Sequence, residues 1–169
     1  KVVLISGPVL LNSPAGCKLI SVVSADDMLN ASVAAVKDAN IFISAAAVAD
    51  YRVVDVADQK IKKQADNLSL ELKKNPDIVS TIATDNPQLF VVGFAAETEN
   101  VETFARDKLV RKKLHAIIAN DVSRQDIGFN ADDNEVSWID AQSCKHLGKK
   151  SKSQLARDIV ELIAANYDG

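Results

Sequence analysis

The chain reads as an α/β protein built on an open, mainly parallel sheet with helices on its faces. Short, nearly continuous apolar runs recur at residues 2–5, 41–43, 89–92 and 116–119, and Gly, Pro or polar residues follow most of them. Segments with helical apolar spacing lie between the runs. Strands apolar on both sides belong inside a sheet covered by helices, and alternating strand and helix signals favour parallel pairing through right-handed crossovers.

The elements follow in order. Val2 to Ile5 is a buried strand that leaves the sheet at Gly7-Pro8. Residues 19–23 form a second strand, and Ser24 caps a helix from Ala25 with Asp26 and Asp27 in its first turn, where carboxylates suit the helix dipole. Met28, Ala31, Val33, Ala35 and Val36 give this helix an uneven apolar face, and Asn40 ends it. Ile41, Phe42 and Ile43 form a third buried strand running toward Val48-Ala49-Asp50-Tyr51-Arg52. Leu68, Leu70 and Leu72 alternate with polar residues and predict a half-exposed strand. Asn75-Pro76 predicts a helix start, with Asn as the cap and Pro in the first turn, ahead of Ile78, Val79 and Ile82.

Residues 89–92 form a buried strand closed by Gly93. Val101, Phe104, Ala105 and Leu109 then place residues 100–113 on an amphipathic helix. A strand at 116–119, an edge strand at 136–139 and a C-terminal helix carrying Leu155, Ile159, Val160, Leu162 and Ile163 complete the pattern. No linker, repeat or low-complexity tract interrupts it, so residues 1–169 are read as a single domain.

Composition narrows the function. Of 169 residues 47% are hydrophobic and 25% charged, and 20 Lys plus Arg against 23 Asp plus Glu give a net charge of −3. These values argue against disorder and against a dedicated nucleic-acid binder. Cys17 and Cys144 are too few for a disulfide scaffold or a Cys-rich zinc site, which points to a reducing, cytoplasmic setting. No run approaches membrane-spanning length. The opening lacks Met and enters an apolar run at once, as expected of a processed chain, an excised domain or a fragment.

In an open α/β sheet, ligands gather where strands end at their carboxyl side. Three polar clusters fall there: Ala49-Asp50-Tyr51-Arg52, Gly93-Phe94 through Glu97-Thr98, and Asn120-Asp121. Asp50 either caps or bridges Arg52, or accepts hydrogen bonds from a base or sugar. Phe94 either continues the core or turns an aromatic face to a nucleobase. Lys60, Lys62 and Lys63 cluster in one loop, and Lys108 and Lys112, four residues apart, share a helix face on which two ammonium groups can meet a polyphosphate. Ordinary solvated lysines give the same pattern. Neither G-x-G-x-x-G, G-x-x-x-x-G-K-[ST] nor H-E-x-x-H occurs, and Cys144 with His146 is a pair without further ligands.

Taken in order, Ser6-Gly7-Pro8, Ala45-Ala46-Ala47-Val48-Ala49-Asp50-Tyr51-Arg52, Lys60-Ile61-Lys62-Lys63, Asn75-Pro76-Asp77-Ile78, Gly93-Phe94-Ala95-Ala96-Glu97-Thr98 and Ala119-Asn120-Asp121-Val122 resemble the phosphopantothenoylcysteine synthetase family. The likeness is to its bacterial CTP-dependent domain, fused behind a decarboxylase domain. The resemblance implies a Rossmann-like sheet from which this chain lacks the N-terminal strand and phosphate-binding loop. It implies ligation of 4'-phosphopantothenate with L-cysteine through an acyl-cytidylate, in coenzyme A biosynthesis, by a homodimer.

It also implies that Asp50 recognises the cytosine nucleotide, Lys60 contacts the reactive phosphate, Pro76, Asp77, Ile78 and Val79 shape the pocket, Phe94 packs at base and ribose, and Lys108 and Lys112 bind phosphates. Phe129-Asn130 and Asn134 resemble a further family segment near the site. Mg²⁺ is expected on the CTP phosphates, with no protein metal ligand. A noncatalytic dimerising fragment and an NAD(P)-binding oxidoreductase domain are the alternatives.

Overall fold

The structure is a computed structural model and describes residues 1–57, 59–62, 67–122 and 131–167. Its residues group into two compact units, each drawn from two separate stretches: 1–32 with 47–78, and 33–46 with 79–169.

In the first unit, β1 (Val2–Ser6) pairs in parallel with β2 (Cys17–Ser21), with Val2 opposite Cys17 and Ser6 opposite Ser21. α1 (Ala25–Ala35) begins here and continues into the second unit. Its start is a reciprocal cap: the Asp27 N–H donates to Ser24 Oγ at 3.1 Å, and the Ser24 N–H donates to Asp27 Oδ2 at 3.0 Å. The Ser24 hydroxyl, with the Ser24 amide after it, holds the Asp27 carboxyl below its ordinary range. A short hairpin-like pair, β3 (Tyr51–Val53) antiparallel to β4 (Leu72–Lys74), completes the unit. The alternation predicted from Leu68 yields strand only from Leu72 onward, because Leu68 and Leu70 are exposed and outside any ladder.

The second unit is built on five strands. In sheet order they are β5 (Ile41–Ser44), β6 (Phe90–Glu97), β7 (Ala116–Asp121), β8 (Asp133–Asp140) and β9 (Cys144–Ser151). β5, β6 and β7 are parallel, whereas β7–β8 and β8–β9 are antiparallel. The sheet is therefore mixed, which corrects the mainly parallel expectation. For β8 and β9 the cause is local: a tight turn at residues 141–143 joins them, and no crossover helix fits in three residues. β8 is also internal, with β9 on its far side, where an edge strand was expected.

α2 (Ile78–Asp85) precedes β6, α3 (Val101–Arg111) links β6 to β7, and α4 (Lys152–Asn166) follows β9. α4 opens with a capping box between Ser151 and Gln154 and lays Leu155, Ile159 and Ile163 on Val92, Ile118, Val136, Trp138 and Leu147. Side chains alternate across a strand, so Gly93 and Ile117 face the other way, toward Leu114 beyond α3. A Cβ on Gly93 would sit 2.7 Å from Leu114 Cδ1. Gly93→Ala is expected to cost about 1–3 kcal/mol, less where the Leu114 methyl swings aside. Urea unfolding checks this, and an unchanged midpoint would show that the site has room.

The β8–β9 turn depends on one carboxylate. Asp140 accepts from Trp138 Nε1 (2.7 Å), the amides of Gln142 (2.9 Å) and Ser143 (2.7 Å), and Ser143 Oγ (2.8 Å). Partial burial works to raise its pKa, but these hydrogen bonds, the indole's first, hold it below the ordinary value. A depressed folded pKa gives stability that is complete above the unfolded pKa and is lost as pH falls through the folded one. Asp140→Asn should therefore cost about 1–3 kcal/mol near neutrality and flatten the acid side of the stability curve. Equal acid sensitivity in the variant would remove Asp140 from that role.

Candidate functional site

The first unit gathers one polar cluster around Asn75. Its side-chain amide donates to the Ala49 carbonyl at 2.8 Å, its carbonyl accepts from Arg52 Nη1 at 2.6 Å, and its backbone N–H donates to the Asp50 carbonyl at 2.8 Å. Arg52 also pairs with Asp26 at 2.9 Å. The cap predicted at Asn75 is thus not what its side chain does. It ties the segment before β3 to the segment after β4, and α2 begins only at Ile78. The sequence signals a helix start at Asn75-Pro76 but not this role, because the partners Ala49 and Arg52 lie more than twenty residues away.

Asp50 is exposed and held through its carbonyl, while Arg52 takes Asp26 and Asn75 as partners. Pro76 is half-buried, Asp77 exposed and Ile78 buried. Lys60 and Lys62 are exposed, and Lys63 lies outside the described residues.

The second unit gathers the other cluster at the carboxyl ends of β6 and β7. Glu97 stands opposite Asp121 and Ala96 opposite Asn120, and the Val122 N–H donates to the Glu97 carbonyl at 2.9 Å. Phe94 is 40% exposed, so its ring is open rather than absorbed into the core. Its strand neighbours Gly93 and Ala95 are buried. Lys108 Nζ pairs with Glu97 Oε1 at 2.5 Å, the lysine side chain 34% and the glutamate 14% exposed. Lys112 lies one residue past the helix, its N–H donating to the carbonyls of Lys108 and Val110. Val79, which opens the second stretch of this unit, is half-buried. Phe129 and Asn130 lie outside the described residues. Asn134 is in β8, where its side chain accepts from the Glu135 N–H at 2.9 Å.

The remaining polar candidates separate. His146 contacts Ser137 Oγ (3.3 Å) and Glu135 Oε1 (3.1 Å), whereas burial, and after it the charge of Glu102, pushes the Cys144 thiol above its ordinary pKa. Cys144 is exposed, but a thiol whose pKa is raised is a poor nucleophile at neutral pH. Among the described residues no three His, Cys, Asp or Glu side chains converge as metal ligands, and no helix is long and apolar enough to cross a membrane.

Residues 1–167 match the family model for the DNA/pantothenate metabolism flavoprotein C-terminal domain. Over 98% of its length the chain is 49% identical to the coenzyme A biosynthesis bifunctional protein CoaBC of Haemophilus influenzae. It is 46% identical over 99% to the Escherichia coli K12 protein of the same name. It spans 42% of the length of each. The crystal structure of the C-terminal domain of a coenzyme A biosynthesis bifunctional protein CoaBC superposes with a TM-score of 0.79 at 33% identity, covering 96% of this chain and 72% of that one. A DNA/pantothenate metabolism flavoprotein from Streptococcus pneumoniae gives 0.81 at 22% identity, covering 98% and 81%, and shares the fold.

Proposed function

The chain belongs to the DNA/pantothenate metabolism flavoprotein C-terminal domain family, and on that premise we propose that it is the synthetase module of a coenzyme A biosynthesis protein, joining 4'-phosphopantothenate to L-cysteine at the expense of CTP. The observation that carries this is the 49% identity extending over 98% of the chain; the family resemblance of the segments around Asp50, Lys60, Pro76 and Phe94 supports the same reading.

In the first step the pantothenate carboxylate attacks the α-phosphorus of CTP. A new P–O bond forms, the bond to the β-phosphate oxygen breaks, and pyrophosphate leaves. In the second the cysteine amine attacks the activated carbonyl, CMP leaves with the C–O bond pair, and the amide nitrogen gives up its proton. Neither step needs a protein nucleophile. What both need is orientation of anionic groups and compensation of charge on moving oxygens. Lys60 is the residue assigned to the reacting phosphate. Lys108 and Lys112 take the other phosphates, Phe94 covers base and ribose, Asp50 reads the cytosine nucleotide, and Pro76, Asp77, Ile78 and Val79 wall the pocket. Mg²⁺ enters this proposal with the substrate, as the CTP complex held by phosphate oxygens.

The complete domain is further proposed to hold one more strand and a glycine-containing phosphate loop. β5 has β6 on one side and no described strand on the other, although Ile41, Phe42 and Ile43 make it apolar on both faces. Such a sequence suits an inner strand. A homodimer, a fused decarboxylase domain and a cytoplasmic setting complete the proposal.

Calorimetric titration of the chain with CTP and Mg²⁺, against ATP and NADH, tests it. Saturable binding preferring CTP is expected. Preference for NADH would replace the synthetase with an oxidoreductase. A folded chain that binds none of the three, while a version carrying the further strand binds CTP, would make this segment a noncatalytic fragment.

A further inference from the structure

Lys108 does not stand alone at the end of the sheet. Its ammonium is bound to Glu97, the last residue of β6, whose side chain is only 14% exposed. Glu97 is fixed from two directions, by its place opposite Asp121 and by the Val122 N–H on its carbonyl. A carboxylate so far withdrawn from water requires a cation, and a lysine on a four-carbon stem requires something to hold it. Each supplies the other's need.

We propose that Glu97 is a positioning residue for Lys108 in triphosphate binding, an inference that rests on the CTP reading above. Without a partner the ammonium explores solvent, and each phosphate contact must first recover that freedom. Bound to Glu97, it is already at the carboxyl end of β6 and β7, beside Phe94's strand and one turn before Lys112. An ammonium carries three donors, and the Glu97 contact uses one, leaving the others for phosphate oxygens. The carboxylate also repels a polyanion, so the two effects oppose. Placement wins if the ammonium stays on Glu97 while it meets the phosphate, because the pair then presents a neutralised carboxylate.

The test compares CTP and CMP binding by calorimetry, with Mg²⁺, in wild type, Glu97→Gln, Lys108→Met and the double variant, after thermal unfolding confirms that each is folded. Glu97→Gln should weaken CTP about tenfold, the order of one charge-assisted hydrogen bond, and leave CMP nearly unchanged. In the Lys108→Met background the same change should do little, since the effect passes through the lysine. Equal weakening of CTP and CMP, or equal loss in both backgrounds, would make Glu97 merely structural. Tighter CTP binding in Glu97→Gln would make it a competitor for the lysine. Either result overturns the proposal while leaving the CTP reading intact. That reading fails separately if wild type does not prefer CTP or if Lys108→Met binds it as wild type does.

Discussion

Lys60→Gln is expected to slow acyl-cytidylate formation by about 10²-fold or more, the scale seen when one strong electrostatic contact to a developing charge is removed. Lys60 is exposed, and glutamine keeps most of the side-chain length, so folding should not change. The loss should appear in a single-turnover experiment on the intact enzyme, as quenched acyl-cytidylate, more than in the affinity for CTP. An interaction made only as charge moves lowers the rate of the step, whereas one made equally with bound substrate lowers affinity alone. Lys62→Gln is the matched control, two residues along and also exposed. If the positive field of the loop is what matters, both variants fall alike. Near-normal formation in Lys60→Gln would end its assignment to the reacting phosphate.

The parallel half of the sheet was legible because its strands are apolar on both faces. Ile41 to Ile43, Val91 to Val92 and Ala116 to Ala119 leave little choice between strand and loop once polar turns bracket them. The antiparallel half was not. β9 reads Cys-Lys-His-Leu-Gly-Lys-Lys-Ser, with a single buried apolar side chain, Leu147, and a glycine at φ +69°. Four of its eight residues are Lys or His, which keep an edge strand soluble and erase the alternation that would announce it. With β9 unseen, β8 became an edge.

The same limit applies to the site. Residue types at strand ends named Asp50 and Phe94, and helical spacing named Lys108, but the partners of Lys108 and Arg52 are set by tertiary register. Glu97 and Lys108 are eleven residues apart, and Arg52 and Asn75 twenty-three. No local spacing rule reaches so far. The i, i+4 relation of Lys108 and Lys112 was readable, while the fraying of α3 after Arg111, which puts Lys112 beyond the helix, was not.

Trp138→Ala is expected to cost about 3–5 kcal/mol, the range for deleting a large aromatic from a packed core. Trp138 is 1% exposed and lies in the cluster that α4 covers, beside Ile118 on β7 and Lys145 on β9. Its indole N–H also donates to Asp140, so the substitution opens a cavity and removes the carboxylate's first hydrogen bond. Against a total stability of about 5–15 kcal/mol, such a loss would leave the five-stranded unit marginal. Trp138→Phe separates the two terms: the ring still fills most of the space, and the lost hydrogen bond should account for about 1–2 kcal/mol of the change. Trp138 is the chain's single tryptophan, so its fluorescence reports unfolding of this unit in wild type, and the variants must be followed by circular dichroism in urea. If Trp138→Ala cost less than about 1 kcal/mol, below the range for any large buried side chain, α4 would not be packed on this residue, and the register of β8 against β7 and β9 would have to be redrawn.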